Sequence, residues 1–219
     1  MISDAELFEE GLAQQGAGPV LLIACGALAR EVLTLIKLNG WSHLTLRCLP
    51  AKLHLYPDRI VEEVRTAVRK GRADGFDEVF IVYGDCGTGG ALDRVCADEA
   101  VVRIEGPHCY SFFDGNDAFA ARAEEEMRSF YLTDFLVRQF DAFVWRPMGL
   151  DRHPELRDMY FGQYETLVYL AQTRDPALDA QAALCADRLG LRFVRRQTGY
   201  GDLETALSGV AGGRRSGSA

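Results

Sequence analysis

Short apolar runs separated by helical segments constrain the fold of this chain more than any other feature of its sequence. Residues 19–24 and 44–49 are runs of strand length, and residues 78–83 form the clearest such run. Continuous apolar runs of this length suit strands that are buried on both faces of a parallel sheet. Helical spacing follows the three runs, over 27–38, over 58–69 and from residue 91 onward. The alternation predicts βαβ units, and therefore an α/β fold with a mostly parallel, doubly wound, Rossmann-like sheet.

The remaining segments are assigned by the same patterns. Residues 4–15 have the spacing of an amphipathic opening helix. Shorter strands are predicted at 101–105, 130–132, 167–171 and 191–195, and helices at 117–128, 134–143 and 176–189. We therefore predict one α/β domain over residues 1–211, in which two lobes could divide near residue 125. The small, polar stretch 212–219 is predicted to be a disordered tail.

Charge and composition narrow the partners and the compartment. The formal net charge of −8 repels phosphate backbones and no Lys/Arg stripe offsets it, so nucleic acid is not an expected partner. No apolar run approaches the roughly 18 residues that a membrane span requires, so a membrane is not expected either. The chain begins with acidic residues where a secretory signal would be basic. The sequence thus predicts a cytoplasmic protein whose six cysteines are reduced.

Three of the cysteines lie where a predicted strand ends. They occur in the pairs Cys25-Gly26, Cys86-Gly87 and His108-Cys109. In open α/β sheets, ligands bind at the carboxyl ends of the strands, where loops and helix N-termini converge. The other three cysteines are expected to be small buried hydrophobic residues, Cys48 in a strand and Cys96 and Cys185 on helices.

These positions suggest a metal site. A helix N-terminus stabilises a thiolate, and three thiolates with a neighbouring imidazole form a soft ligand set for zinc or an iron–sulfur cluster. The predicted ligands are Cys25, Cys86, Cys109 and His108. Three protein ligands would also leave a position open for catalysis. None of the spacings is a Cys-x-x-Cys pair, so a metal-free reactive or structural role for the sulfurs is an open alternative.

A glycine-rich loop follows the clearest strand. Its four glycines allow close approach of the backbone to a ligand and can form an anion-binding nest, so we predict that they bind a cofactor or an anionic group; they are Gly84, Gly87, Gly89 and Gly90. The loop lacks the Gly-Lys-Ser/Thr ending of nucleotide triphosphatases and the Gly-x-Gly-x-x-Gly spacing of dinucleotide folds. Arg30, one turn into the first crossover helix, is a further candidate contact for an anionic ligand. The alternatives are a tight turn for the glycines and a solvated helix charge for Arg30.

Histidine supplies the remaining candidate chemistry. His108 is predicted to be a metal ligand or a proton carrier, and Cys86 and His108 are the predicted catalytic residues. The other three histidines are assigned to surface or loop positions; they are His43, His54 and His153.

Several of these motifs together resemble a known family. The run 23–26, the segment 56–59, the strand and loop 83–87, and His108-Cys109 are similar to the pattern of the family catalogued as domain of unknown function (DUF) 1638, and the similarity extends through 130–133. That resemblance implies an association with corrinoid-dependent methyltransferase systems for methylated amines. It also implies that the site residues are Cys25, Cys86, His108 and Cys109.

Three hypotheses about function follow. The leading one is a metalloprotein that holds zinc or an iron–sulfur centre beside a small-molecule pocket and acts in methyl or one-carbon transfer, with a methyltransferase-type enzyme as one form. The second is a non-enzymatic accessory protein that binds a corrinoid, a corrinoid protein or a methyltransferase. The third is a thiol-dependent transferase or hydrolase, in which Cys86 or Cys109 is a nucleophile with a low pKa.

Overall fold

Parallel strands joined by helices make up the fold, which confirms the predicted mostly parallel α/β class. The structure is a computed structural model and describes residues 2–122 and 127–213. It divides into two compact units, the first formed by Met1–Phe112 with Asp202–Ala219 and the second by Phe113–Gly201. Within the described residues, no helix combines the length and the hydrophobicity needed to cross a membrane.

The described strands form two sheets. The strands are β1 Leu12–Gln15, β2 Val20–Cys25, β3 Leu44–Leu49, β4 Glu78–Val82, β5 Val102–Arg103, β6 Ser129–Thr133, β7 Thr166–Ala171 and β8 Arg192–Gln197. In the first unit the order across the sheet is β1-β3-β2-β4-β5, and in the second it is β6-β7-β8. Every neighbouring pair is parallel except β1 with β3.

The helices lie mainly between the strands. They are α1 Asp4–Glu9, α2 Ala29–Asn39, α3 Pro57–Ala73, α4 Ala91–Asp98, α5 Ser111–Asp114, α6 Asn116–Ala121, α7 Asp134–Arg138, α8 Arg157–Phe161, α9 Pro176–Leu189 and α10 Gly201–Ala211. Short 3₁₀ turns occupy Gly26–Leu28, Ala51–Leu55 and Pro154–Leu156, and Asp141–Trp145 is a π-helical turn. Gly40 and Gly190 end α2 and α9 in the left-handed conformation that favours glycine.

The order in which the chain adds strands to the sheet of the first unit reverses between β2 and β4. The chain places β3 on one side of β2 and then β4 on the other, and Ala24 is opposite both Cys48 and Val82. The carboxyl ends of β2, β4 and β5 are therefore neighbours at one edge of the sheet. A reversal of strand order is where ligands bind in open α/β sheets.

Two predictions about elements of the first unit were wrong or incomplete. The predicted helix over 4–15 stops at Glu9, and residues 12–15 form the edge strand β1 instead. Gly11 makes this turn possible: its φ is +81°, and a Cβ there would lie 2.2 Å from the Cys48 carbonyl oxygen. The closing helix α10 was not predicted, yet Leu203, Leu207 and Val210 bury its inner face.

The second unit is organised around the buried carboxylate of Asp134. Asp134 follows β6 and accepts hydrogen bonds from the Tyr169 hydroxyl at 2.7 Å and from the backbone N–H of Gln172 at 3.0 Å. The backbone and the hydroxyl of Thr173 donate to its other oxygen. The carboxylate thereby ties the end of β6 to the end of β7, and burial without partners would be costly for such a group.

Part of the predicted helix over 117–128 and the predicted tail from residue 214 onward lie outside the described residues.

Candidate functional site

Two of the predicted site cysteines are in contact. The Sγ atoms of Cys86 and Cys109 are 3.3 Å apart, although 23 positions separate them in the sequence. Cys86 follows β4 and Cys109 follows β5, which are adjacent in the sheet. The carboxyl ends of these neighbouring strands therefore bring the two sulfurs together.

Backbone contacts hold the two cysteine loops against each other. The N–H of Asp85 donates to the Gly106 carbonyl and that of Cys86 to the Pro107 carbonyl, both at 2.9 Å. Gly84 lies so close to the second loop that a Cβ on it would be 2.8 Å from the carbonyl carbon of His108. The sulfur–sulfur contact is thus supported by two hydrogen bonds and a glycine that lets the backbones touch.

Cys86 has an unusual backbone conformation. Its φ is +49°, in the left-handed region that residues with a side chain seldom occupy. Strain of this kind costs on the order of 1 kcal/mol or more and persists only where the surrounding structure imposes it. Here the N–H of Cys86 is held by its hydrogen bond to the Pro107 carbonyl, and the next residue, Gly87, also has a positive φ.

Hydrogen-bond donors converge on the sulfur of Cys86. The hydrogen bond with the Cys109 sulfur, and to a smaller extent that with the His54 ring, lower the pKa of Cys86 well below its ordinary value despite its burial. The backbone N–H of Cys109 donates as well. Because donors stabilise a thiolate, Cys86 is the cysteine at this site that deprotonates most readily.

Cys109 has the opposite character. Its proton is held in the hydrogen bond to the Cys86 sulfur, and this bond, with burial, raises the pKa of Cys109 well above its ordinary value. The N–H of Gly84 donates to the Cys109 sulfur and weakens that shift. Of the two, Cys86 is therefore the one that loses its proton more readily.

Cys25 lies at the end of β2, beside this pair, but is a different kind of thiol. Burial raises the pKa of Cys25 to about 12, and a negative charge on Cys86 would add to that rise. Burial also raises the pKa of Tyr83 well above its ordinary value, with further contributions from the charges of four cysteines: Cys25, Cys109, Cys48 and Cys86. Cys25 and Tyr83 thus resist ionisation, in contrast to Cys86.

His108 is partly buried next to the pair. Burial lowers the pKa of His108, which favours the neutral imidazole. The ring stacks on Tyr110 with 4.8 Å between centroids and an interplanar angle of 12°. The imidazole that forms a hydrogen bond with the Cys86 sulfur belongs to His54. His54 is therefore a second candidate for the catalytic role predicted for His108.

The glycine-rich loop binds an anion that the chain itself supplies. The carboxylate of Asp85 accepts hydrogen bonds from the N–H groups of Gly89 at 3.1 Å and Gly90 at 2.8 Å, and from the Thr88 hydroxyl at 2.8 Å. Burial opposes ionisation of this carboxyl, but these bonds lower the pKa of Asp85 overall. Two N–H groups of the loop are thus engaged by Asp85, and binding of a cofactor or anionic group by Gly84, Gly87, Gly89 and Gly90 stays a prediction.

Arg30 is engaged with the N-terminal segment. Its guanidinium donates to the Asp4 carboxylate at 2.7 Å and to the Ile2 carbonyl at 2.8 Å. These contacts fasten α1 to α2, which gives Arg30 a structural role. Contact between Arg30 and an anionic ligand stays a prediction.

The predicted metal centre has no preformed ligand cage. Across residues 2–122 and 127–213, no group of three or more histidine, cysteine, aspartate and glutamate side chains is arranged to hold a metal ion. The sulfurs of Cys86 and Cys109 are in contact, and Cys25 lies near enough for their charges to interact. Zinc or iron–sulfur binding by these residues stays a prediction.

Sequence reasoning missed three residues that shape the site. His54 was assigned to a loop, Tyr83 was treated only as strand, and Asp85 was not considered. A signal existed for each: His54 and Tyr83 follow β3 and β4 at the same sheet edge as the cysteines, and Asp85 precedes a Thr-Gly-Gly run that an acidic side chain can cap.

Fold and site define a class: a mostly parallel α/β protein with two cysteines in contact at the carboxyl edge of its sheet. The chain belongs to the family described as "Protein of unknown function (DUF1638)", whose model matches residues 48–207. The match includes His54, Cys86, His108 and Cys109 and begins after Cys25. It confirms the resemblance stated from the sequence.

No curated protein and no solved structure matches the chain.

Proposed function

We propose that the chain is a thiol-dependent transferase or hydrolase in which Cys86 is the nucleophile. The observation that carries this proposal is the convergence of donors on the Cys86 sulfur, from the Cys109 thiol at 3.3 Å and from the His54 ring. A thiolate is the reactive form of cysteine, and hydrogen bonds to it keep it deprotonated at neutral pH. The strained φ of Cys86 is typical of functional sites.

The chemistry follows from the charges at the site. The Cys86 thiolate forms a bond to an electrophilic carbon of a small substrate, and the leaving group departs with the electron pair of the broken bond. The leaving group takes a proton from water. A second nucleophile, water in a hydrolase or an acceptor in a transferase, then displaces the Cys86 sulfur and restores the thiolate. His54 positions the sulfur in both steps.

Alkylation at mildly acidic pH tests the proposal. Reduced protein is treated with iodoacetamide at about pH 6, well below an ordinary thiol pKa, and the labelled residues are identified by peptide mass mapping. Cys86 should react first. Burial raises the pKa of Cys96 and that of Cys185 to about 11, so these two should stay unlabelled.

Variants separate the nucleophile from its surroundings. His54→Ala removes a hydrogen bond that lowers the pKa of Cys86, so alkylation of Cys86 should slow by at most about tenfold for each unit by which this pKa rises. The matched control is His153→Ala, because His153 is also exposed and is bonded to Glu155 in the second unit. Uniform slow labelling of all cysteines, or an unchanged rate in His54→Ala, would contradict the proposal.

The metal hypothesis is an alternative use of the same sulfurs. It rests on the contact between the Cys86 and Cys109 sulfurs and on the interactions of Cys25, His54 and His108 with Cys86. Thiolate-bound zinc would suit methyl or one-carbon transfer. Metal analysis of protein purified without oxygen tests it, with Cys86→Ser as the comparison. Metal present in the wild type and lost in the variant would support it; less than about half an equivalent in both would count against it.

The corrinoid-accessory hypothesis has a separate test. It rests on the family resemblance, and the Asp-x-His-x-x-Gly signature of common corrinoid-binding domains is absent from the sequence. Titration of the protein with cobalamin should change the visible spectrum if His108 binds cobalt. An unchanged spectrum at saturating cobalamin would remove that version.

A further inference from the structure

The contact between Cys86 and Cys109 has a second chemical use. A disulfide requires the two sulfurs at about 2.05 Å, so closing the present gap of 3.3 Å takes a movement of about 1.3 Å. Both cysteines lie in loops beyond the ends of strands, where such a movement does not disturb the ladder of the sheet. The pair is already aligned by the backbone bonds to Gly106 and Pro107.

We propose that Cys86 and Cys109 form a reversible dithiol–disulfide couple whose co-reactant is a low-molecular-weight disulfide. This inference rests on the proposed function, because it uses the same nucleophile. It extends that function by giving Cys109 a chemical role of its own and by naming a class of substrate. It is based on the 3.3 Å distance between the Cys86 and Cys109 sulfurs and on the backbone hydrogen bonds that join their loops.

The exchange has two steps. The Cys86 thiolate attacks one sulfur of the substrate disulfide, forms a mixed disulfide and releases the first thiolate. Cys109 loses its proton to that thiolate and attacks the Cys86 sulfur, which forms the Cys86–Cys109 bond and releases the second thiolate, to be protonated by water. Two cysteine thiols are thereby oxidised and one substrate disulfide is reduced to two thiols.

Surrounding groups favour the small substrate over a protein disulfide. Cys86 is only 4% exposed, so the disulfide that its sulfur attacks must be small. Pro57 borders the same loop, since a Cβ at Gly87 would lie 3.5 Å from the Pro57 Cγ. Cys96 and Cys185 are buried on α4 and α9 and provide internal comparisons.

Incubation with bis(2-hydroxyethyl) disulfide tests the inference. In the wild type, intact mass spectrometry should show the loss of two hydrogens, and peptide mapping should find residues 86 and 109 cross-linked. Dithiothreitol should reverse the change. Cys109→Ser keeps a hydroxyl donor near Cys86 but cannot close the bond, so it should accumulate a mixed disulfide on Cys86. Cys96→Ser should behave as the wild type does.

The outcomes distinguish this inference from the proposed function. A mixed disulfide that persists on Cys86 in the wild type would overturn the couple and leave the nucleophile intact. The couple alone would also be overturned if the disulfide did not react with the wild type, while a separate alkylation of untreated protein at acidic pH labels Cys86 before any other cysteine. Cross-links that involve other cysteines in place of Cys109 would overturn it as well.

Discussion

Gly84 controls how closely the two cysteine loops approach. Its backbone has no positive φ, so the requirement for glycine there comes from space alone: an added Cβ would meet the carbonyl carbon of His108 at 2.8 Å and the nitrogen of Cys109 at 3.0 Å. Both atoms belong to backbone, which cannot move aside as a flexible side chain can. Any side chain at position 84 must therefore separate Cys86 from Cys109.

Gly84→Ala should weaken both the fold and the thiol pair. We expect the free energy of unfolding to fall by about 1–3 kcal/mol, as for overpacking in a core, and alkylation of Cys86 at acidic pH to slow. Guanidinium unfolding and peptide mapping measure these effects. The matched control is Gly209→Ala: Gly209 lies within α10 with open space around it, so alanine should stabilise the protein by roughly 0.5–1 kcal/mol.

The sequence predicted that the sulfurs of Cys25, Cys86 and Cys109 converge, and the structure brings those of Cys86 and Cys109 into contact; it did not predict which imidazole lies beside them. Cys86 and Cys109 each follow a strand, and the parallel class alone brings strand ends to one edge. His54 reaches Cys86 from the 3₁₀ turn after β3, and the geometry of that turn depends on tertiary packing. Arg30 shows the same limit, because its partner Asp4 lies in a segment whose path depends on the turn at Gly11.

At the scale of elements, one carboxylate links α3 to α4. Glu99 caps the end of α4, is only 7% exposed and receives guanidinium groups from one face of α3: Arg65 at 3.2 Å, Arg69 at 2.8 Å and Arg72 at 3.5 Å. The hydrogen bond from Arg69, with the other nearby cations, lowers the pKa of Glu99 below its ordinary value of 4.5. Ionised Glu99 therefore stabilises the packing of the two helices.

Glu99→Gln should reduce the sensitivity of the fold to acid. Because the folded-state pKa of Glu99 is the lower one, its contribution is present above pH 4.5 and is lost as the pH falls through the folded value. The free energy of unfolding of the wild type should thus drop more steeply below pH 4.5 than that of the variant. Denaturant unfolding over this pH range measures the difference. Equal slopes for the two proteins would contradict the assignment, and Glu204→Gln, at an exposed position on α10, serves as the control.

Elements with strong boundary signals were predicted best. Strand β3 and helix α9 have the predicted limits, because an apolar run defines the first, and Asp175, Pro176 and Gly190 mark the ends of the second. β1 was predicted as helix because a short, polar edge strand is defined by pairing with β3 and has little apolar pattern of its own. α10 was missed because glycines at 201 and 209 obscure its helical character.

At the scale of the whole molecule, the first unit is discontinuous in sequence. It contains residues up to Phe112 and again from Asp202, with the second unit between them. The returning segment is α10, whose Leu203 and Leu207 are fully buried. Helix α10 therefore completes the hydrophobic core of the unit that carries the cysteines.

Leu207→Ala should destabilise the first unit by about 2–5 kcal/mol, the cost of removing a buried leucine. The two tryptophans allow this to be read out for each unit: Trp41 lies in the first and Trp145 in the second. In a Trp145→Phe background, the fluorescence of Trp41 should show a lower guanidinium midpoint for Leu207→Ala. The control Leu184→Ala removes a leucine that is 62% exposed, and should change the midpoint little. An unshifted Trp41 midpoint in Leu207→Ala would refute the role of α10.

The late return of α10 affects how the protein is made in a cell. Ribosomes add roughly 5–20 residues each second, so several seconds pass between the emergence of Cys109 and that of Leu207. During this interval the nascent chain has all the sulfurs of the pair but lacks the helix that closes their unit. The thiols of Cys86 and Cys109 therefore reach their final surroundings only when translation is nearly over.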